Sequence, residues 1–92
     1  MPKVKQVGVG VYRVKVPCPC NWHIYDARWK FNGDFEKPTF TDSYLARTLD
    51  PENPNKNLYL CHSWVTEGMI DYKDDGTTHE LAGKIVPLLE IE

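Results

Sequence analysis

The three cysteines and three histidines are the side chains of this chain best suited to hold a metal ion. They are Cys18, Cys20, Cys61, His23, His62 and His79. Thiolate and imidazole groups are the ligands that tetrahedral Zn2+ takes in structural sites. The Cys-Pro-Cys pair is one residue shorter than the common Cys-x-x-Cys of zinc knuckles, and no second close pair follows it. The residue types therefore indicate zinc, and the elements that carry these residues must decide the ligand set.

Strand geometry separates two neighbouring candidates, Cys61 and His62. Alternating residue types over 58–65 predict a β-strand, in which successive side chains point to opposite faces. His62 then shares a face with Leu60 and Trp64, away from Cys61. Because that face is the more apolar one, we assign Cys61 to the metal and expect His62 in the core, with its ring bonded to a polar partner.

The predicted metal ligands are Cys18, Cys20, Cys61 and His79, and the alternative ligands are His23 and His62. The competing interpretation is that the thiols only pack, because a cysteine outside a disulfide is among the most buried residue types. If zinc is bound, it contributes about 10 kcal/mol or more to folding. A chain of 92 residues has a small core and gains much from such a cross-link.

The number of protein ligands separates a structural site from a catalytic one. Four protein ligands leave no position for a substrate, whereas three ligands and a water would let Glu80 or Asp34 act as the base of a hydrolase. The thiol-rich set and the small chain favour the closed, structural site. We therefore assign no catalytic residues and keep a zinc hydrolase as the alternative.

A turn beside Trp29 forms a second group of polar residues. Trp29, Asn32 and Asp34 are a candidate binding surface, because a tight loop would present an amide and a carboxylate to a ligand. Asn-Gly-Asp is also typical of a simple turn, in which asparagine and glycine meet a backbone requirement first. The turn is the simpler interpretation.

Short alternating segments joined by turns predict a mainly β fold. The segments are 10–16, 58–65, 69–73 and 84–91, with a bend at Gly8 and Gly10. The aromatic-rich stretch 22–31 predicts one or two further short strands, and 43–49 would suit either a short helix or a strand, of which we favour the strand. Because the connections are short, we expect antiparallel pairing in a small sheet or sandwich, forming one domain over residues 1–92.

The connecting segments carry their own signals. Two prolines predict a rigid, irregular knuckle over 17–21, and the polar composition of 50–57 predicts an exposed loop. Thr77 and Glu80 match a capping box with Gly83 at the C-cap position. We therefore expect at most one short helical turn in the chain.

Charge and hydropathy exclude several classes of protein. The 11 Lys and Arg against 13 Asp and Glu give a net charge of -2, so no long-range positive field attracts nucleic acid or an anionic membrane. The apolar stretches are far shorter than the roughly 18 residues that cross a bilayer, and the N-terminus lacks the apolar core of a signal peptide. We therefore expect a soluble, cytoplasmic protein without a disulfide framework, in which nucleic acid is an unlikely partner.

The order of several motifs resembles a family of small, uncharacterised proteins from tailed phages, prophages and bacteria. The motifs are Trp29-Lys30-Phe31-Asn32-Gly33-Asp34, Lys37-Pro38-Thr39-Phe40 with Ser43, Cys61-His62-Ser63-Trp64-Val65 with Gly68 and Ile70, and His79-Glu80-Leu81-Ala82-Gly83. The resemblance begins near Cys18 and covers about two thirds of the chain. Many members carry the label ammonia monooxygenase, an activity that requires a far larger, membrane-embedded copper assembly than 92 residues provide.

The chain departs from that family at two positions. Family members have Cys-Pro-x-Cys where this chain has Cys18-Pro19-Cys20, and a cysteine two residues before the position of His79, where this chain has Thr77. The second departure removes a ligand and shifts the expected coordination onto His79 or His23. The resemblance implies a phage or prophage origin and a metal-binding β fold, without a reaction.

The expected function is that of a metal-stabilised binding module. By analogy with small phage proteins that occupy host surfaces, we expect the partner to be a host protein in the host cytoplasm. A small zinc-dependent hydrolase is the alternative, and a single-stranded nucleic-acid binder is the third possibility.

Overall fold

Eight β-strands form the regular structure in the computed structural model, which describes residues 2–18 and 21–91. They are β1 (Val4–Gly8), β2 (Val11–Lys15), β3 (Trp22–Tyr25), β4 (Lys30–Phe31), β5 (Phe40–Asp50), β6 (Asn53–Thr66), β7 (Met69–Tyr72) and β8 (Ile85–Pro87). All pairings between these strands are antiparallel. Within the described ranges there is no helix long and apolar enough to cross a membrane. The predicted mainly β, antiparallel fold is confirmed.

The strands form a three-stranded sheet in the order β1-β2-β3 and a five-stranded sheet in the order β4-β5-β6-β7-β8. Val9 and Gly10 make the turn between β1 and β2, and Gly10 has a φ of 67°. The bend predicted near Gly8 and Gly10 is therefore a hairpin turn, which is accompanied by a register shift between Gln6 and Gly8.

The inner faces of the two sheets pack together through aromatic rings. Tyr25 of β3 stacks on Phe40 of β5 with ring centroids 4.0 Å apart, and His23 stacks on Tyr44 at 4.5 Å. The buried side chains around them are Val4, Val14, Val16, Cys18, Cys61, Val65, Ile70, Tyr72 and Leu88. The sulfurs of Cys18 and Cys61 therefore lie in a region from which water is excluded.

The polar stretch 50–57 does not form the predicted loop. Strands β5 and β6 continue through it as a long hairpin, in which Asp50 pairs with Asn53 across a turn at residues 51–52. Residues 51–56 are exposed, but the loop prediction was wrong. Pairing between adjacent strands is made by backbone N–H and C=O groups, so the polar side chains of this stretch could not reveal it.

Candidate metal centre

The inner face of β6 fixes the position of Cys61. Cys61 lies opposite Ala46 of β5, and its side chain is 0% exposed. Ser63 and Val65 point inward with it, as alternation along a strand requires. The Cys61 sulfur is therefore held in the core by the pairing of two long strands.

Two threonines place His79 beside this strand. The Thr77 hydroxyl accepts a hydrogen bond from His62 N and donates one to His62 O, both at 3.0 Å. Thr78 Oγ1 accepts a bond from Leu60 N at 2.8 Å, and Thr78 N donates to Leu60 O at 2.9 Å. These bonds hold residues 77–78 along β6 on either side of the cysteine, so the next residue, His79, lies close to the cysteine sulfur.

The capping box predicted for Thr77 and Glu80 is wrong. The Thr77 hydroxyl bonds the backbone of β6, and residues 80–83 form a turn in which Ala82 N donates to His79 O at 3.1 Å. Threonine hydroxyls bond whichever backbone groups lie in reach, and here the edge of a strand offers both a donor and an acceptor.

Gly76 allows the backbone to approach β6 just before the threonines. A Cβ at this position would lie 2.6 Å from Cβ of His62, well inside contact distance. Sequence analysis finds neither Gly76 nor Thr78. The one signal available is the Gly-Thr-Thr run directly before a candidate ligand.

The turn after β2 brings Cys18 to the same region. Asn21 N donates to Cys18 O at 3.1 Å, and Val16 N donates to Asn21 O at 2.9 Å, so the chain reverses direction there. Asn21 has a φ of 65°, a left-handed conformation that asparagine tolerates better than most residues. The Cys18 side chain is 3% exposed. Cys20, the fourth predicted ligand, lies outside the described residues.

The ligand atoms of Cys18, Cys61 and His79 lie within 4.8 Å of one another. Zinc bonds of about 2.3 Å to sulfur and about 2.0 Å to nitrogen separate tetrahedral ligand atoms by about 3.5–3.8 Å. Sγ of Cys61 and Nε2 of His79 are 2.9 Å apart, which is a hydrogen-bond distance. An ion between them needs this pair to open by about 0.6 Å. With that movement the three residues can hold a metal ion.

Contacts at both ring nitrogens and one ring face hold the imidazole of His79. Leu81 N donates to Nδ1 at 3.2 Å, so the proton of the neutral ring is on Nε2 and points toward Cys61. If Nε2 bound a metal ion, the neutral ring would carry its proton on Nδ1 instead. The Leu81 amide, which now donates to Nδ1, would then have to turn away. The Tyr72 ring packs edge-on against the imidazole at 4.9 Å, which restricts its rotation.

His23, an alternative ligand, lies on the other side of Cys18. Its Nε2 is 3.8 Å from Sγ of Cys18, and its ring is 0% exposed. It is not in the group of Cys18, Cys61 and His79. Nδ1 of His23 is buried and has no hydrogen-bond partner among residues 2–18 and 21–91. This position suits a donor to the Cys18 sulfur better than a ligand.

Tyr25 adds a second polar group near Cys18. Burial raises its pKa, and the neighbouring Tyr44 and Cys18 add smaller contributions in the same direction. The hydroxyl of Tyr25 therefore stays protonated in this part of the core.

The core position predicted for His62 is wrong. The face that it shares with Trp64 is the outer face of the five-stranded sheet, and its side chain is 29% exposed. The expected polar partner is present, because Nδ1 of His62 lies 3.3 Å from Oδ1 of Asp75. Apolar residues on a strand do not identify the inner face when the outer face is also apolar, and His62 points away from Cys61.

The residues of the candidate binding surface, Trp29, Asn32 and Asp34, take part in local structure. Nε1 of Trp29 donates to the carbonyl of Ser43 at 3.0 Å. Oδ1 of Asn32 accepts from Asp34 N at 3.1 Å, and Oδ1 of Asp34 accepts from two following amides at 2.9 and 3.0 Å. These bonds build the turn, and Asn32 also lines a shallow groove of about 280 Å3.

A cavity of about 250 Å3 opens beside His79. Its walls are Pro17, Tyr59, His79, Glu80 and Leu81. Glu80, one of the two predicted bases, is part of this lining together with the candidate ligand His79, whereas Asp34 is not. A small molecule therefore has access to the His79 side of the group.

Comparison with protein-family models, curated proteins and solved structures finds no match for this chain. Its function must therefore be inferred from its own residues. The geometry shows an antiparallel β protein in which three residues far apart in the sequence can hold a metal ion.

Proposed function

We propose that this protein is a zinc-stabilised β domain that binds another protein. The observation that carries the proposal is the group of Cys18, Cys61 and His79, which joins the turn after β2, the middle of β6 and the segment between β7 and β8. Two thiolates and an imidazole suit Zn2+ better than Mg2+ or Ca2+, which prefer oxygen ligands. An ion bound there links the two sheets and stabilises a small core.

The outer face of the five-stranded sheet supports the binding role. Leu45 lies opposite His62, and Trp64 lies in one row with Asp71 and Ile85. The exposed fractions are 54% for Leu45, 37% for Trp64 and 61% for Ile85. We name Leu45, Trp64 and Ile85 the apolar face. His62 and Asp71 lie between these apolar side chains on the same face. Exposed apolar side chains among polar neighbours are a feature of protein-interaction sites.

The expected partner is a protein with an apolar patch of its own. Burial of apolar area is the main driving force of such association. The resemblance to phage proteins supports a host protein as that partner, and we propose the host cytoplasm as the place of the interaction.

Substitutions on the apolar face test this role. We expect the immobilised protein to capture a host protein. The Kd for that purified partner should rise at least about tenfold in Leu45→Glu and in Ile85→Glu, because each substitution places a charge in an apolar interface. Val9→Glu is the matched control, since Val9 is 100% exposed in the turn of the other sheet. Circular dichroism and zinc content verify that each variant folds. Unchanged affinity in both face variants, or no captured partner, would contradict the proposal.

The cavity beside His79 favours a zinc hydrolase as the second candidate. Zinc held by Cys18, Cys61 and His79 would supply Lewis-acid chemistry at this cavity, and Glu80, which lines it, would be the general base. We expect Glu80→Gln to retain zinc and to lose hydrolysis of activated esters and phosphodiesters. Absence of hydrolysis in the zinc-loaded protein would exclude this candidate for those substrates and leave the binding role untouched.

A further inference from the structure

The outer face of the three-stranded sheet concentrates positive charge. Strand register places Lys5 opposite Arg13 and Lys15 opposite Trp22. Because side chains alternate along each strand, these four lie on the outer face of the sheet, whereas Val14 points into the core. The net charge of the chain is -2, so this cluster is a local departure from its overall balance.

The C-terminal segment closes one side of this cluster and forms a groove. Leu89 N donates to Lys15 O at 3.0 Å, and Ile91 N donates to Pro2 O at 2.8 Å, which holds residues 89–91 against the sheet. The groove has a volume of about 340 Å3, within the range of small-ligand sites. It is lined by Lys5, Arg13, Lys15, Trp22, Glu90 and Ile91.

Arg13 is the group in this groove that most clearly lacks an acceptor. Its guanidinium lies 4.2 Å from the Trp22 ring centre, which fixes its orientation. Its Nε is buried and has no hydrogen-bond partner in the part of the chain that the structure describes. A buried donor without an acceptor is costly, so an incoming anion would gain a strong, charge-assisted bond.

Arg28, which also stacks on a tryptophan, differs from Arg13 because its guanidinium has a hydrogen-bond acceptor. Arg28 lies 4.8 Å from the Trp29 ring centre, and its Nε is 3.0 Å from Oδ1 of Asp26. That bond lowers the pKa of Asp26. Arg13 has the same stacking arrangement without the carboxylate.

We propose that this groove binds a phosphate group. The groove has three cationic side chains, Lys5, Arg13 and Lys15, and one carboxylate, Glu90, which suits an anion with up to two negative charges. The guanidinium of Arg13 can bond two phosphate oxygens, and the two lysines add positive charge. The phosphate belongs either to a small nucleotide or to the backbone of a single-stranded nucleic acid, which offer the same chemistry. Glu90 at the rim opposes a dianion and limits its affinity.

Calorimetric titration of the protein as purified, with four probes, tests the proposal. The probes are inorganic phosphate, deoxyadenosine 5′-monophosphate, a short oligothymidylate and an oligoglutamate peptide. We expect saturable binding of a phosphate-bearing probe with a Kd below about 1 mM. Equal affinity for the nucleotide and the oligonucleotide identifies a small ligand, and much tighter oligonucleotide binding identifies a strand. Each result supports the phosphate site.

Substitutions that each remove one charge test whether phosphate binds in this groove. We expect Arg13→Gln to weaken it about tenfold or more, and Glu90→Gln to strengthen it. Lys15→Gln changes an exposed side chain and should weaken binding without affecting folding. Arg28→Gln removes the other arginine stacked on a tryptophan and should leave affinity unchanged.

Three results would overturn the phosphate site. They are no saturable binding of any phosphate probe, equally tight binding of oligoglutamate, and unchanged affinity in both Arg13→Gln and Lys15→Gln. None of these results bears on the proposed zinc site or on the apolar face, because the groove contains no residue of either.

Discussion

Removal of the Thr77 hydroxyl should loosen the segment that carries His79. Thr77→Val keeps the shape of the side chain and abolishes its two hydrogen bonds to the backbone of His62. At about 0.5–1.5 kcal/mol for each bond, the free energy of unfolding should fall by about 1–3 kcal/mol. Because the segment also positions a proposed ligand, zinc affinity should fall by about 10–100-fold, as for other groups that hold ligands in place.

Thr39→Val is the matched control for this substitution. Thr39 Oγ1 accepts a hydrogen bond from Glu67 N at 2.8 Å, in a turn that contains none of the proposed ligands. The control should lose about 0.5–1.5 kcal/mol of stability and keep its zinc affinity. Urea unfolding of the zinc-loaded proteins measures the first quantity, and competition with a chromogenic chelator measures the second. Equal zinc affinity in Thr77→Val and Thr39→Val would refute the positioning role.

Four further substitutions test other parts of the account. Gly76→Ala should lower the free energy of unfolding by about 1–3 kcal/mol, because its Cβ would lie 2.6 Å from Cβ of His62, and an unchanged urea midpoint would contradict this. Tyr25→Phe should leave stability unchanged or raise it by about 1 kcal/mol, since the buried hydroxyl has no hydrogen-bond partner in residues 2–18 and 21–91, and a clear loss in urea would show otherwise. His62→Ala should retain bound zinc and His79→Ala should lose it, and the reverse order in a zinc assay would require a different ligand set.

The strands were predictable because their signal is local. Alternation over residues 58–65 and 69–73 correctly gave the hairpin of β6 and β7, since a half-buried strand repeats every two residues. Alternation along the strand could not show which face of β6 points into the core. Leu60 and Trp64 made one face more apolar, yet the core lies on the side of Cys61.

The predictions that were wrong concern features that depend on contacts between segments distant in the sequence. Residues 53–57 belong to β6 because β5 pairs with them, and Thr77 bonds a strand 15 residues away in the sequence. No pattern in either segment encodes its partner. The sequence showed which residue types could bind a metal. Only the structure shows that Cys18, Cys61 and His79 lie close together.

The metal content of protein purified without chelator tests the central claim most directly. Elemental analysis should find about one zinc per chain, and Cys61→Ser, which removes a buried ligand, should lose the metal and unfold. A native protein that contains no metal, yet unfolds at the same temperature before and after incubation with zinc, would contradict the account.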